Sequence, residues 1–414
     1  MELKYSNHFQ ANTRKIVDNV VKIDYRFKIL YSISMICVIL GHLYGKGSIE
    51  LNIHGWFPYR SFHMPLFIFS SGYFFKIKNV FNTLKYISRK FGKLILPIYS
   101  YNFFYGFLIY FSKKYSFINN IKPFSFINLF IEPFGGSKIL FIGPSWFSST
   151  LFFVESYNIL KRRIIKLLKI EPNELIYLIF DLYMSYKSIS FSNKGYNKIK
   201  LYKCILRIMH LNIYYEIGIL FNKYLESHFN KIKNDVFFVS IFAIKLIFHL
   251  YYSKMPEFQY SKSEYYNYSP FTVITNSVLG ILFWVRISQN IEPILGKNFY
   301  INVIANNTFS IMMNHFFSNF MIRNIFAIIS KNTKYFKDFD FNRHYSNLFY
   351  IYLPNNIISA GIIYFLGSLI FPILIQKAIN KIKLIIFINY SYFIKKKRKN
   401  LLKNTSSCEK NVLL

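Results

Sequence analysis

Cysteine is scarce in this 414-residue sequence, and its three occurrences, Cys37, Cys204 and Cys408, lie far apart. No C-x-x-C pair or metal-ligand spacing is present, so the sequence predicts neither a disulfide scaffold nor a zinc site, and we expect no bound metal. Repeats of the length found in repeat proteins are also absent, as are paired interrupted helices related by inverted symmetry. These absences weaken a transporter function without excluding it.

Acidic residues are few. Only 18 Asp and Glu oppose 52 Lys and Arg, which gives a formal charge of +34. In a soluble protein this excess of positive charge would indicate a nucleic-acid partner. Here the aromatic residues lie inside apolar stretches rather than between basic residues, which argues against RNA binding. We expect no nucleic-acid partner.

Long stretches of the chain carry no formal charge. Hydrophobic residues make up 53% of the sequence and aromatic residues 21%, more than in an ordinary globular protein. Several charge-free windows exceed the ~18 residues that indicate a transmembrane helix. The windows are 29–44, 61–75, 94–112, 139–154, 265–285, 298–322 and 345–376.

More polar spans are predicted near 175–190, 201–222 and 236–253. In the last charge-free window, Pro354, Asn355 and Asn356 predict a lead-in before the helix. Together these segments predict an all-α fold, a polytopic membrane helical bundle of about ten transmembrane helices.

Basic clusters separate the predicted spans. They lie before the first span, after the second, at 161–169 and at 395–399. By the positive-inside rule these segments face the cytoplasm, so both termini are expected there and the number of spans is even. The first 28 residues are polar and basic, and no A-x-A-like site follows the first apolar run, so a cleaved signal peptide is not expected.

Three regions follow from these patterns. We predict a basic cytoplasmic segment at 1–28, a membrane-embedded domain at 29–382 and a basic cytoplasmic tail at 383–414. The tail is expected to lie on anionic lipid headgroups. The expected location is the cytoplasmic membrane, where the protein crosses several times with lipids as partners.

Two histidines occupy positions of interest in the first two spans. With the amino terminus inside, His42 lies near the outer end of the first span, and His63 begins the second. Ionisable groups within spans are costly and usually line cavities or reactive sites, so the two imidazoles are predicted to meet in one cavity. A hydrogen bond to a neighbouring helix or a helix cap is the alternative for either residue.

Five sequence motifs carry a family resemblance. "SMICVILGH" at 34–42 and "FHMPLFIFSSGYFF" at 62–75 resemble the start of the acyltransferase-3 family of integral membrane acyltransferases, particularly its branch that O-acetylates sugars and surface polysaccharides. "RKFGKLILPIY" at 89–99, "GPSWFSSTLFF" at 143–153 and "NNTFSIMMNHFF" at 306–317 resemble later family motifs. The resemblance runs from about residue 24 to 378.

The resemblance implies about ten spans and transfer of an acyl group, usually acetyl from acetyl-CoA, to a sugar hydroxyl. Acyl-CoA would be a co-substrate rather than a permanently bound cofactor, and a saccharide would be the acceptor. His42 occupies the family's catalytic position, either as the base for the acceptor hydroxyl or as a transient acyl carrier. His63 would orient His42, bind the acceptor or share the proton, unless it only packs between spans. Gly72 is assigned to helix packing.

The resemblance also implies a donor site. Lys90 and Lys93 occupy the positions of the family's basic pair, and Arg89 adds a third cation for the phosphates of coenzyme A. A positive-inside anchor without a substrate role is the alternative. Eleven positions before His42 the family commonly has Arg or Lys, whereas this chain has Tyr31. Either Lys28 reaches in from one turn earlier, or that contact is absent.

Other substrate-binding candidates are weighed against structural roles. Trp146 is predicted to stack on a sugar or adenine ring, or to lie at the membrane interface. Glu155 is predicted to orient an imidazole or to end a span. His315 is a third histidine candidate, although a hydrogen bond between helices is the favoured explanation for it. The same two explanations apply to Glu216, and the structural one is again favoured.

The predicted function is therefore an integral membrane O-acyltransferase. The alternatives are a transporter or flippase for a lipid-linked saccharide and a family member that keeps the fold without catalysis. Because the predicted donor cations and His42 lie roughly one bilayer thickness apart, ~30 Å, we expect a donor held inside to extend its thioester into the bundle.

Overall fold

The computed structural model describes residues 23–43, 55–114, 130–131, 143–170 and 173–410. The side chains of 77–79, of 112–114 and of residues beyond 385 are outside this description. Most of the predicted amino-terminal segment, residues 1–22, and the side chain of Cys408 therefore lie outside the described residues.

Regular structure in the described residues is helical, apart from one antiparallel bridge between Gln259 and Glu264. This confirms the all-α prediction. The α-helices follow one another in this order: α1 Tyr25–Leu43, α2 Tyr59–Tyr73, α3 Thr83–Lys90, α4 Leu96–Lys114, α5 Ser145–Leu167, α6 Glu174–Asn193, α7 Lys200–Leu220, α8 Glu226–Lys231, α9 Asn234–Tyr252, α10 Pro270–Leu295, α11 Phe299–Asn306, α12 Thr308–Asn332, α13 Phe341–Ser346 and α14 Gly361–Lys410.

Helices with the length and composition of membrane spans dominate this fold. The predicted windows 61–75, 139–154, 175–190 and 298–322 overlap α2, α5, α6 and α12, which are shorter or more polar than candidate spans, whereas the other windows each overlap a candidate span. Within the described part of the chain, six helical stretches are long and apolar enough to cross a membrane: Tyr25–Leu43, Val80–Phe111, Lys200–Lys231, Asn234–Tyr252, Pro270–Leu295 and Ile358–Ile385.

Two helices extend across the predicted region boundaries. Helix α1 begins at Tyr25, four residues before the predicted start of the membrane domain. Helix α14 passes through the predicted boundary at 382/383 and continues to Lys410, since no proline follows Pro372 to end it. The lead-in at Pro354–Asn356 is present as a 3₁₀ turn before α14, as predicted.

Glycine brings α2 and α7 into backbone contact. A Cβ atom on Gly72 would lie 2.0 Å from the carbonyl oxygen of Tyr215, and one on Gly218 would lie 2.1 Å from that of Phe69. Only glycine allows this approach, which small residues commonly provide between membrane helices. The structure thus agrees with the assignment of Gly72 to packing and fixes the position of α2.

A network of buried charges joins α5, α6 and α7. Lys161 Nζ lies 2.6 Å from Asp181 Oδ2, and Arg162 Nη2 lies 2.5 Å from Glu216 Oε1 and 2.6 Å from Glu174 Oε2. Lys223 also pairs with Glu174. The six side chains carry three charges of each sign, so they neutralise one another within the bundle.

This network changes the interpretation of two predicted features. Glu216, considered as a site candidate, is 0% exposed and pairs with Arg162 and Lys161. The start of the basic run at 161–169 was predicted as a cytoplasm-facing anchor, yet the side chains of Lys161 and Arg162 are only 9% and 5% exposed. Both side chains are buried because they pair with carboxylates on α6 and α7. The sequence around Lys161 does not indicate these partners.

Candidate active site

A cavity of about 220 Å³ lies between the end of α1, the start of α2, the start of α5 and the loop at 253–269. We call it the histidine cavity. Its lining mixes imidazole, aromatic, hydroxyl and guanidinium groups with apolar side chains. The lining residues are Val38, Gly41, His42, Tyr59, Arg60, His63, Met64, Pro144, Trp146, Phe147, Phe258, Gln259, Tyr260, Ser261 and Met312.

His42 lines this cavity from the last turn of α1, and its side chain is exposed. Its ring stacks on that of His315, with 5.1 Å between centroids and 28° between planes. Phe316 meets the His42 ring edge-on at 4.7 Å. Two consecutive residues of α12 therefore hold the His42 imidazole from the side of the bundle.

His63 and His315 each bond to their own helix. His63 Nδ1 contacts the carbonyl oxygen of Tyr59, and His315 Nδ1 lies 3.0 Å from that of Ile311. A carbonyl oxygen only accepts, so Nδ1 carries the proton in both neutral rings and Nε2 is left as the acceptor. His315 Nε2 is buried and has no hydrogen-bond partner among the described residues.

The predicted meeting of His42 and His63 is present, since both line the histidine cavity. The favoured explanation for His315, a hydrogen bond between helices, is not what the structure shows. Its Nδ1 bonds within α12 because the Ile311 carbonyl lies one turn back, and its link to another helix is the ring contact with His42.

A second cavity of about 440 Å³ lies further along α1, α2 and α5, and α3 contributes to its lining. We call it the cationic cavity. Arg89, Lys90 and Lys76 contribute three basic groups, and Glu155 contributes one carboxylate. The full lining is Tyr31, Ser71, Phe74, Phe75, Lys76, Tyr86, Arg89, Lys90 and Glu155.

Two of the charged side chains that line the cationic cavity form an ion pair. Lys90 Nζ lies 2.6 Å from Glu155 Oε1, and the Glu155 side chain is only 1% exposed. Its second oxygen, Oε2, has no hydrogen-bond partner among the described residues. The Arg89 guanidinium and the Lys90 ammonium lie over the Tyr86 ring, at 5.5 and 5.4 Å from its centroid.

The predicted donor residues separate into two groups. Arg89 and Lys90 line the cationic cavity, whereas Lys93 lies on the π-helical turn Phe91–Ile95 with an exposed side chain and is not part of the lining. The wider π turn rotates Lys93 away from the face that Lys90 occupies. Glu155 pairs with Lys90, so it does not orient an imidazole as considered from the sequence.

Tyr31 itself lines the cationic cavity. Lys28 bonds instead to the side chain of Asn306. Arg26 lies 2.6 Å from Asp24 and 2.5 Å from Glu226, which hold its guanidinium elsewhere. Lys28 is therefore not among the residues that line the cationic cavity.

Trp146 lies in the first turn of α5 and lines the histidine cavity with a 9% exposed side chain. The guanidinium of Arg207 lies 5.1 Å from its ring centroid and supports the ring from α7. This buried position fits stacking against a bound ring better than an interfacial anchor.

Sequence reasoning missed several lining residues. Arg60 and Tyr59 adjoin the motif that contains His63, and this adjacency was the available signal. Gln259 and Tyr260 come from the loop at 253–269, for which no signal was available. Tyr260 is held by hydrogen bonds to the Ser61 carbonyl at 2.9 Å and the Ser277 hydroxyl at 2.7 Å.

A family model described as an acyltransferase domain, that of the acyltransferase-3 family, matches residues 25–377. The chain belongs to the acyltransferase-3 family. No match was found among curated proteins or among solved structures. In this acyltransferase-3 protein the matched region begins with α1 and ends within α14, so it contains both cavities.

Proposed function

We propose that this membrane acyltransferase is an O-acyltransferase of the cytoplasmic membrane. It moves an acetyl or other short acyl group from acyl-CoA to a hydroxyl of a surface polysaccharide or lipid-linked sugar. The observation that carries the proposal is the histidine cavity, where His42 and His63 face one space beside Tyr59 and Trp146.

The chemistry needs a base, because a sugar hydroxyl is not ionised at neutral pH. The His42 imidazole takes the hydroxyl proton while the hydroxyl oxygen attacks the thioester carbonyl. The new carbon–oxygen bond forms as the carbon–sulfur bond breaks, and the departing thiolate takes up the proton from His42. Neutral His63, with Nε2 as an acceptor, hydrogen-bonds the acceptor hydroxyl. Trp146 offers an apolar face for the sugar ring.

The cationic cavity suits the phosphate end of the donor. Arg89 and Lys90 supply charge-assisted hydrogen bonds to phosphate oxygens, and Lys76 adds a third positive group. Glu155 neutralises Lys90 when no donor is present.

The two cavities share helix faces, which supports one extended donor site. On α1, Tyr31 lines the cationic cavity and His42 the histidine cavity, about 16 Å apart along the helix axis. On α2, Ser71 lines the cationic cavity and His63 lines the histidine cavity, and the two residues are two helical turns apart. A donor lying along these faces would have its phosphates at one end and its thioester near His42.

The same arrangement supports the membrane topology that we propose. Helices α2, α5, α6 and α12 would cross the membrane with the six apolar stretches, giving about ten spans with both termini in the cytoplasm. The cationic cavity then opens towards the cytoplasm, where acyl-CoA is made. The histidine cavity faces the side where surface glycans are assembled.

The test measures O-acetyl groups on the surface glycan by proton nuclear magnetic resonance, before and after mild base. A deletion strain is complemented with wild type, His42→Ala or His228→Ala. His228 is an exposed histidine of α8 and serves as the matched control. We expect the O-acetyl signals to return with wild type and His228→Ala and to stay absent with His42→Ala at equal membrane abundance.

Other outcomes identify the alternatives. Full restoration by His42→Ala would contradict the catalytic assignment and favour a saccharide transporter, which needs no base. O-acetyl signals that deletion leaves unchanged would contradict surface-glycan acetylation. Purified protein that binds no acyl-CoA would indicate a family member without catalysis, in keeping with Tyr31 at the usual basic position.

A further inference from the structure

Three aromatic rings lie in series between the two cavities. Tyr31, in the lining of the cationic cavity, stacks on Phe67 with 5.8 Å between centroids and 9° between planes. Phe67 meets Phe147 at 5.6 Å, and Phe147 lines the histidine cavity. Phe67 belongs to the lining of neither cavity, so its ring occupies the layer that separates them.

Helix periodicity places Phe67 and Phe147 on the faces of α2 and α5 that contribute to both cavities. On α2, His63, Phe67 and Ser71 follow one another at intervals of four residues, with Phe67 midway between the two cavities. On α5, Phe147 and Glu155 line different cavities eight residues apart. The layer at Phe67 is therefore the place where a continuous passage would have to open.

We propose that Tyr31, Phe67 and Phe147 form an aromatic partition that closes the passage between the cavities, and that the Phe67 ring moves aside to admit the acyl-bearing arm of the donor. This inference rests on the proposed function for the identity of the arm. The partition itself is a property of the bundle that can be tested without any donor.

The nature of the contacts suits a movable partition. Phe67 has no polar atom in its side chain and is held by apolar contacts, so a rotation about its side-chain bonds breaks no hydrogen bond. Phe69, two residues along α2, is 0% exposed and packs against Phe221 at 5.5 Å. It has the same side chain outside the series and serves as the matched control.

The test is chemical labelling of a thiol placed beyond the partition. Val38 lines the histidine cavity, so Val38→Cys is made in a chain with Cys37, Cys204 and Cys408 changed to serine. Sealed vesicles receive a membrane-impermeant thiol reagent on the side of the cationic cavity only. Ser71→Cys, in the lining of that cavity, reports that the reagent enters.

With Phe67 present we expect slow labelling of Val38→Cys and rapid labelling of Ser71→Cys. Phe67→Ala should raise the Val38→Cys labelling rate severalfold, while Phe69→Ala should leave it at the starting value. Equal rates in the Phe67→Ala and Phe67 chains would overturn the partition. Fast labelling of Val38→Cys with Phe67 present would overturn it as well.

Should Phe67→Ala fail to fold, Phe67→Leu removes the ring and keeps an apolar side chain, and a smaller increase is expected. Thermal unfolding of each variant in detergent identifies folded protein. Labelling needs neither acyl-CoA nor His42, so it tests the partition independently of the acyltransferase proposal. Activity that depends on His42 together with unchanged labelling would reject the partition alone.

Discussion

The imidazole of His315 stacks on that of His42 at 5.1 Å, although 273 residues of sequence separate them. His315 is 0% exposed, and its Nδ1 bond to the Ile311 carbonyl fixes its ring. His42 is exposed in the last turn of α1, and the rings of His315 and Phe316 both contact its imidazole. We infer that His315 is a positioning residue that orients the His42 ring.

Substitutions of His315 distinguish positioning of His42 from direct participation of the His315 imidazole in the reaction. His315→Phe keeps a flat ring against His42, so most of kcat should remain. His315→Ala removes the contact and should lower kcat by about 10- to 100-fold, since small misplacements of a catalytic group are costly. His42→Ala should lose ~10²- to 10⁴-fold. Steady-state kinetics of purified protein, with kcat and KM determined separately, measure these effects.

Equal losses in His315→Phe and His315→Ala would contradict the positioning role and indicate that the imidazole itself takes part. A rise in donor KM without a change in kcat would place His315 at the donor instead.

Sequence patterns predicted what depends on neighbours along the chain. Hydropathy and charge located the helices, and the positions of His42 and His63 at the ends of consecutive antiparallel spans predicted a shared cavity. Contacts between residues of helices that are distant in the sequence could not be predicted. The contact of His42 with His315, the pairing of Glu155 with Lys90 and the burial of Arg162 depend on how helices rotate against each other, which local periodicity does not determine.

The donor site is predicted to depend on Lys90 and not on Lys93. Both lie in the basic motif, but only Lys90 lines the cationic cavity. Lys90→Ala should raise the KM for acyl-CoA about tenfold or more, because a charge-assisted hydrogen bond contributes ~1.5–3 kcal/mol. Lys93→Ala, the matched control, should leave the KM within error. Donor titrations at saturating acceptor measure both.

Lys90→Ala also leaves Glu155 buried without its partner, which destabilises the fold independently of donor binding. The double variant Lys90→Ala with Glu155→Gln removes that carboxylate charge. A donor KM that stays high in the folded double variant supports direct phosphate binding. Recovery of the wild-type KM would contradict it and assign Lys90 to the ion pair alone.

Stability is predicted to depend on the charge network of α5, α6 and α7. Arg162→Met leaves Glu216 and Glu174 without their shared guanidinium, and loss of one partner of a buried ion pair costs about 3–5 kcal/mol. Thermal unfolding in detergent should show a clear fall in the midpoint. Arg163→Met, one position along and outside the network, should change the midpoint little.

Removing charges of both signs together should be less harmful than removing one. Arg162→Met combined with Glu216→Met takes away a cation and one of its carboxylates, so less unpaired charge remains buried. A double variant as unstable as Arg162→Met alone would show that packing of the Arg162 stem, rather than its charge, is what matters.

The segment between α12 and α14 is predicted to loosen in acid through His344. The His344 side chain in α13 is 2% exposed, and its Nδ1 has no hydrogen-bond partner among the described residues. Burial lowers the pKa of His344 to about 4, and the nearby positive charge of Arg323 adds to this effect. Arg323 holds the same segment through the carbonyl oxygens of Asn347 at 2.6 Å and Tyr350 at 3.1 Å.

In the unfolded chain the imidazole has a pKa near 6.5, so protonation favours the open segment over the folded one. The stabilisation is fully present above pH ~6.5 and is lost as the pH falls towards 4. Hydrogen exchange at 341–352, corrected for the intrinsic pH dependence, should accelerate over this range in wild type. His344→Phe cannot be protonated and should exchange at a rate independent of pH after correction. An equal acceleration in His344→Phe would assign the loosening to another group.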